Sequence, residues 1–94
     1  MNIQENINKH KEICESMHEL YIKKNNDYGN SVSETYKKFG IDSFLVRMYD
    51  KINRIYTLTR KETEQRIKEE TIEDTLLDLA NYSILAILEL NNNK

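Results

Sequence analysis

The chain has 94 residues, 38% of them apolar and 32% charged, with two glycines and no proline. That length predicts one small soluble domain over residues 1–94, with a core thin enough that oligomerisation is a natural way to deepen it, and the scarcity of Gly and Pro excludes turn-rich all-β folds. A formal charge of −2 argues against a duplex-binding protein, which carries a basic excess.

Apolar or semi-apolar residues recur at Ile3, Ile7, His10, Cys14, Met17 and Tyr21 in alternating steps of four and three, widened by Ile13 and Leu20, which predicts a first amphipathic helix. From Lys23 to Ser31 the run Lys-Lys-Asn-Asn-Asp-Tyr-Gly-Asn-Ser breaks the period and reads as a structured loop. Ser31-x-x-Glu34 is a capping-box pattern opening a short helix that Gly40 can stop. Asp42 or Ser43 can cap the next helix, whose apolar stripe is Leu45, Met48, Ile52, Ile55 and Tyr56 with Phe44 beside it. Arg47, Asp50 and Arg54 lie opposite that stripe and Lys51 on its border.

The charged stretch from Arg60 to Glu70 reads either as an exposed helix extension or as a mobile linker. After it, Thr71-Ile72-Glu73-Asp74 offers a cap for a final helix through Leu76, Leu77, Leu79, Ala80, Ile84, Leu85, Ile87, Leu88 and Leu90. These apolar residues surround almost the whole helix, which marks it as the buried centre of a bundle or an oligomer seam. The fold class expected is therefore all-α, three long helices plus one short.

Cys14 is the only cysteine, so there is no internal disulfide and no Cys pair for a metal, and His10 and His18 lack a second ligand pair at zinc spacing. The amino terminus has no signal-peptide order, and no apolar run approaches the roughly 20 residues a membrane helix needs. A cytoplasmic location without membrane partners is expected. No Ser-His-Asp order, phosphate loop or glycine-rich fingerprint is present.

Asp74, Asp78 and Asn81 fall within about 60° of one another on an otherwise apolar helix, and carboxylates in such a setting need partners. Arg47, Lys51 and Arg54 can answer them as a cross-helix ion-pair network, or the acids can hold a divalent metal whose shell phosphate oxygens complete. The spacing allows both, and it equally allows Asp74 to be only a cap and the cations only a solvated face. Charge is segregated along the chain: residues 42–60 hold four cations against two carboxylates, and residues 61–78 hold three cations against seven carboxylates.

Four ordered blocks carry a resemblance: Lys24-Asn25-Asn26-Asp27-Tyr28-Gly29-Asn30-Ser31, Phe39-Gly40, Arg47-Met48-Tyr49-Asp50-Lys51-Ile52-Asn53-Arg54, and Glu70-Thr71-Ile72-Glu73-Asp74-Thr75-Leu76-Leu77-Asp78-Leu79-Ala80-Asn81-Tyr82. Together they resemble the nucleotide modification associated domain 1 family, which is frequent in bacteriophage genomes and distantly similar to the all-α nucleoside triphosphate pyrophosphohydrolases of the MazG type. The resemblance implies a helical bundle, usually oligomeric, that handles a nucleotide. In the MazG-like enzymes a Glu-Glu-x-x-Glu segment and a later Glu-x-x-Asp segment hold Mg²⁺; Asp74 and Asp78 fall where the second would be. The helix that would supply the first, Arg47 to Arg54, has one carboxylate among three cations.

Cations at those positions suit direct binding of phosphate oxygens better than hydrolysis through a metal. The expectation is a small phage-type homo-oligomer, non-catalytic and without cofactor, that binds or sequesters a nucleotide or nucleotide-derived defence signal in the host cytoplasm. Arg47, Lys51 and Arg54 would meet phosphate, Asp74, Asp78 and Asn81 would orient those cations or bond ribose and base, and the Asp27-Tyr28-Gly29-Asn30 loop would close over the ligand, with Tyr28 stacking. One alternative is a Mg²⁺-dependent nucleotide pyrophosphohydrolase, or an accessory factor in modified-nucleotide metabolism, with Asp50, Glu70, Asp74 and Asp78 as a reduced metal set. Another is a structural helical oligomerisation protein.

Overall fold

A computed structural model describes residues 2–28, 30–62 and 64–92, leaving aside the side chains of residues 26–28. It is all-α, as expected: α1 (Ile3–Tyr28), α2 (Ser31–Phe39), α3 (Asp42–Thr59) and α4 (Gln65–Asn92). The chain divides into two compact units, residues 1–31 and 32–94.

The first unit is α1. Its start is set by a reciprocal cap: the Glu5 backbone N–H donates to Asn2 Oδ1 at 2.8 Å, and the Asn2 amide donates to Glu5 Oε1 at 3.1 Å. One backbone donor at the open helix end is thereby satisfied, and the second bond ties the two side chains to each other. The segment read as a loop from Lys23 is a correction, because the helix runs on through Tyr28. Lysine is a good helix former, and isolated Asn or Asp residues weaken a helix by only a few tenths of a kcal/mol each, too little to end one without Gly or Pro. Along the apolar stripe only Met17 and Tyr21 are half-buried, and Ile3 and Ile7 stand in water.

The second unit opens with α2, which ends at Gly40. Gly40 has φ +68° and donates its N–H to the Tyr36 carbonyl at 2.7 Å, the left-handed stop that the sequence implies. The next helix starts differently from expectation, since its cap residue is Ile41, without a side-chain hydrogen bond. The backbone N–H groups of Ser43 and Phe44 are already taken by the carbonyls of Gly40 and Ile41 at 3.1 and 3.0 Å, and the Ser43 hydroxyl donates back to the Gly40 carbonyl at 2.8 Å. The tight turn thus does the work of a cap. Phe44 is the one large apolar side chain buried among the described residues, 2% exposed, and its ring lies 5.9 Å from that of Tyr36 on α2.

Helix α4 begins at Gln65, so most of the charged stretch is helical and the Thr71-x-x-Asp74 box lies inside the helix. There the Thr71 hydroxyl donates to the Ile67 carbonyl at 2.9 Å instead of capping. Pairs one turn apart, such as Gln65 Nε2 to Glu69 Oε1 at 2.9 Å, and the high helix propensity of Glu, Lys and Arg carry the helix through a segment with little to bury.

Helices α3 and α4 pack together. They are antiparallel, because Lys51 meets Asp78 while the earlier Arg47 meets the later Tyr82. The inward positions of α3 are Phe44, Met48, Lys51, Ile55 and Leu58, in steps of four and three. Those of α4 are Lys68, Ile72, Thr75, Leu79, Tyr82, Ala86 and Glu89, with the same alternation. Both are coiled-coil spacings. The α3 seam is turned roughly 60° from the stripe expected, at 100° per residue. The turn brings Phe44 to Tyr36 and Lys51 to Asp78, and leaves Leu45, Ile52 and Tyr56 exposed.

Helix α4 is accordingly less buried than its composition suggests. Its buried residues are Thr75, Ala86 and Glu89, whereas Leu76, Ile84 and Ile87 are exposed. The Thr75 hydroxyl donates to the Thr71 carbonyl at 2.7 Å, and Glu89 accepts a hydrogen bond from the Ser33 hydroxyl of α2. Every buried polar side-chain atom among the described residues has a partner.

Candidate functional site

The two helices of the hairpin each have two different flanks beside the shared seam. On α3, Arg47, Asp50 and Arg54 lie one way round, and Leu45, Tyr49, Ile52 and Tyr56 the other. On α4, Asp74, Asp78 and Asn81 lie one way round, with the half-buried Leu85 among them, and Leu76, Ala80 and Ile87 the other, while Ile84 lies opposite the seam. Two right-handed helices packed antiparallel place flanks of the same rotational sense on one side. The hairpin therefore has one side that gathers its cations and carboxylates and one that is largely apolar.

On the ionic side the structure joins two pairs, one helical turn apart. Lys51 Nζ stands 3.2 Å from Asp78 Oδ2, with 28% and 40% of the two side chains exposed. The Arg47 guanidinium lies over the Tyr82 ring, 5.9 Å from its centroid. The cross-helix network expected from sequence is thus present at Lys51 and Asp78. Arg54 and Asp74, one turn further along, are both exposed and form no ion pair with each other, and Asn81 is half-buried. Tyr82 was missed as a site residue. Its signal was available, since Tyr82 follows Asp78 by four residues as Arg47 precedes Lys51 by four, so one pair implies the next in an antiparallel hairpin.

The carboxylates read as a reduced metal set are not gathered. Asp50 and Glu70 are exposed, Glu70 and Asp78 are separated by two turns of α4, about 12 Å of rise, and Asp78 is held by an ammonium. Among the described residues no three His, Cys, Asp or Glu side chains are placed to hold a metal ion. The donor set therefore does not fit a Mg²⁺ centre within one chain. Of the loop expected to close over a ligand, Gly29 and the side chains of Asp27 and Tyr28 lie outside the described residues, and Asn30 is an exposed turn residue.

Chemically the ionic side offers two arginines with unspent donors, on either side of a lysine engaged by one carboxylate. Arg47 and Arg54 are seven residues apart, on the order of 10 Å along the helix. A planar guanidinium can give two parallel hydrogen bonds to a phosphate or carboxylate, and Arg47 and Arg54 stand on a helix that packs against its neighbour.

An all-α domain whose central hairpin carries a cationic helix flank is the class these features define. The sequence profile of the nucleotide modification associated domain 1 family matches residues 24–90, and the chain belongs to that family. No curated protein and no solved structure matches the chain. Among the described residues no helix is long and apolar enough to cross a membrane.

Proposed function

We propose that this protein binds a nucleotide or nucleotide-derived small molecule through the ionic side of the α3–α4 hairpin, without chemistry, and acts as a homo-oligomer by sequestering it. The observation that supports this reading is the pairing of Arg47 with Tyr82 beside Lys51 and Asp78: cations for phosphate, next to an aromatic ring, on rigid helices. Arg47 and Arg54 meet phosphate oxygens, Asp78 holds Lys51 in place between them, and Asp74 and Asn81 face sugar or base donors. A binder of this kind suits a phage-encoded protein that removes a nucleotide signal of host defence from the cytoplasm.

Isothermal titration against nucleotides, cyclic dinucleotides and ADP-ribose derivatives tests it. At least one is expected to bind, with affinity reduced tenfold or more by Arg47→Ala, about 1.4 kcal/mol or above. Absence of binding to all of them overturns the reading. Turnover of a nucleoside triphosphate in the presence of Mg²⁺, abolished by Asp78→Asn, would replace it with the pyrophosphohydrolase alternative.

A further inference from the structure

Helix α1 holds a cluster that the proposed ligand site does not use. The only cysteine of the chain and its only two histidines fall at positions 10, 14 and 18, each about one helical turn from the next. At roughly 100° per residue, His10, Cys14 and His18 span about 80° of one helix face. Composition alone would scatter three such residues, yet every imidazole and thiol of the chain is gathered on this one face. The ligand spacing that His10 and His18 lack between themselves is supplied by Cys14, four residues from each. Ligands four residues apart on a helix are the spacing by which two histidines of one helix share a zinc ion.

Two of the three side chains already stand at chelating distance. Cys14 Sγ lies 3.9 Å from His10 Nδ1. A tetrahedral zinc ion, with bonds of about 2.3 Å to sulfur and about 2.0 Å to nitrogen, holds two such atoms roughly 3.5 Å apart, so closing on an ion takes a shift of a few tenths of an ångström. Side chains on an α-helix lean toward its start, so Cys14 leans toward His10 and His18 toward Cys14. The neighbouring lysines are balanced by acids of the same helix: Lys9 Nζ is 3.5 Å from Glu12 Oε2, and Lys11 Nζ is 3.9 Å from Glu15 Oε1.

We infer that His10 and Cys14 chelate a thiolate-preferring divalent ion, zinc by the chemistry of the donors, with His18 turning in as a third ligand and water in the remaining position. A thiolate and imidazoles are donors that zinc takes, whereas magnesium and calcium call for oxygens. On binding, the Sγ–H bond breaks, its electron pair forms the metal–sulfur bond, and the proton passes to solvent. Spacing and separation of the ligands are set within α1 alone. No residue is shared with the nucleotide site, so the two proposals stand or fall separately.

Titration of the reduced full chain, free of any added histidine tag, with cobalt(II) as a coloured substitute for zinc tests the inference. One ion per chain is expected to bind, with a thiolate-to-cobalt charge-transfer band in the near ultraviolet that zinc displaces. Cys14→Ser is expected to abolish the band, and His10→Ala to weaken binding by roughly tenfold or more, with the helical circular dichroism of the metal-free chains unchanged. Zinc is also expected to slow amide exchange across residues 10–18, because a bridge between successive turns opposes their opening. No band at a tenfold excess of cobalt, a band that both His10→Ala and His18→Ala leave unchanged, or half an ion per chain would overturn it.

Discussion

Lys51 shows how much a single residue can decide. By sequence it borders an apolar stripe; in the structure it sits in the seam, and its ammonium reaches Asp78. Because both side chains remain partly solvated, the pair is worth little as a salt bridge in itself, about 0.5–1 kcal/mol. A double-mutant cycle with Lys51→Met and Asp78→Asn in urea denaturation is expected to give a coupling of that size. Phe44 is the opposite case. It is the only large apolar side chain buried among the described residues, and Phe44→Ala is expected to cost about 3–4 kcal/mol, enough to bring thermal unfolding of residues 32–94 close to ambient temperature. Gly40→Ala is a milder test: nothing lies within 4 Å of an added Cβ, so only the left-handed backbone opposes it, and a loss of about 1 kcal/mol is expected from calorimetric melting.

At the scale of elements, helix identity was legible wherever the apolar period was long, and ends were legible only where a backbone constraint decided them. Gly40 is placed correctly because φ above zero is open to glycine and closed to most other residues. The caps assigned to Asp42 or Ser43 and to Thr71 fail, since a side-chain oxygen matters only if the adjacent N–H groups are free, and here the turn at residues 40–41 or the preceding helical turn has already taken them. Asn2 with Glu5 is a true cap that the sequence also contains, obscured by its place near the chain start. Asn2→Ala is expected to destabilise the start of α1 by about 1 kcal/mol, read as loss of amide protection in the first turn by hydrogen exchange. The rotation of the α3 seam was not legible for a different reason. Two apolar stripes share that helix, and only the position of Asp78 and Tyr36 on neighbouring helices selects the inner one.

The whole molecule is defined by segregation. On α3, charge and apolarity, mixed in the composition, separate onto opposite flanks of one helix, so the proposed ligand site occupies a single side of the hairpin. Ionic strength is expected to act on that site more than on the fold. Raising salt should weaken phosphate binding at Arg47 and Arg54 several-fold in calorimetry, while the helical circular dichroism stays unchanged, because apolar contact is not screened. The proposed site was legible as a list of residues, not as an arrangement: Asp78 and Lys51 meet, Tyr82 joins them, and Arg54 and Asp74 stay apart.

The polar groups within the α3–α4 seam have one more consequence. A seam of leucines alone can slide by a turn at small loss, since each side chain finds an equivalent neighbour. Lys51, Thr75 and Glu89 remove that freedom: a shift of one turn would part Lys51 from Asp78, and Glu89 from the Ser33 hydroxyl. The hairpin is thereby held in a single alignment, at some cost in core strength. Every distance across its two sides, including the spacing at which two arginines can meet a ligand, inherits its definition from that alignment.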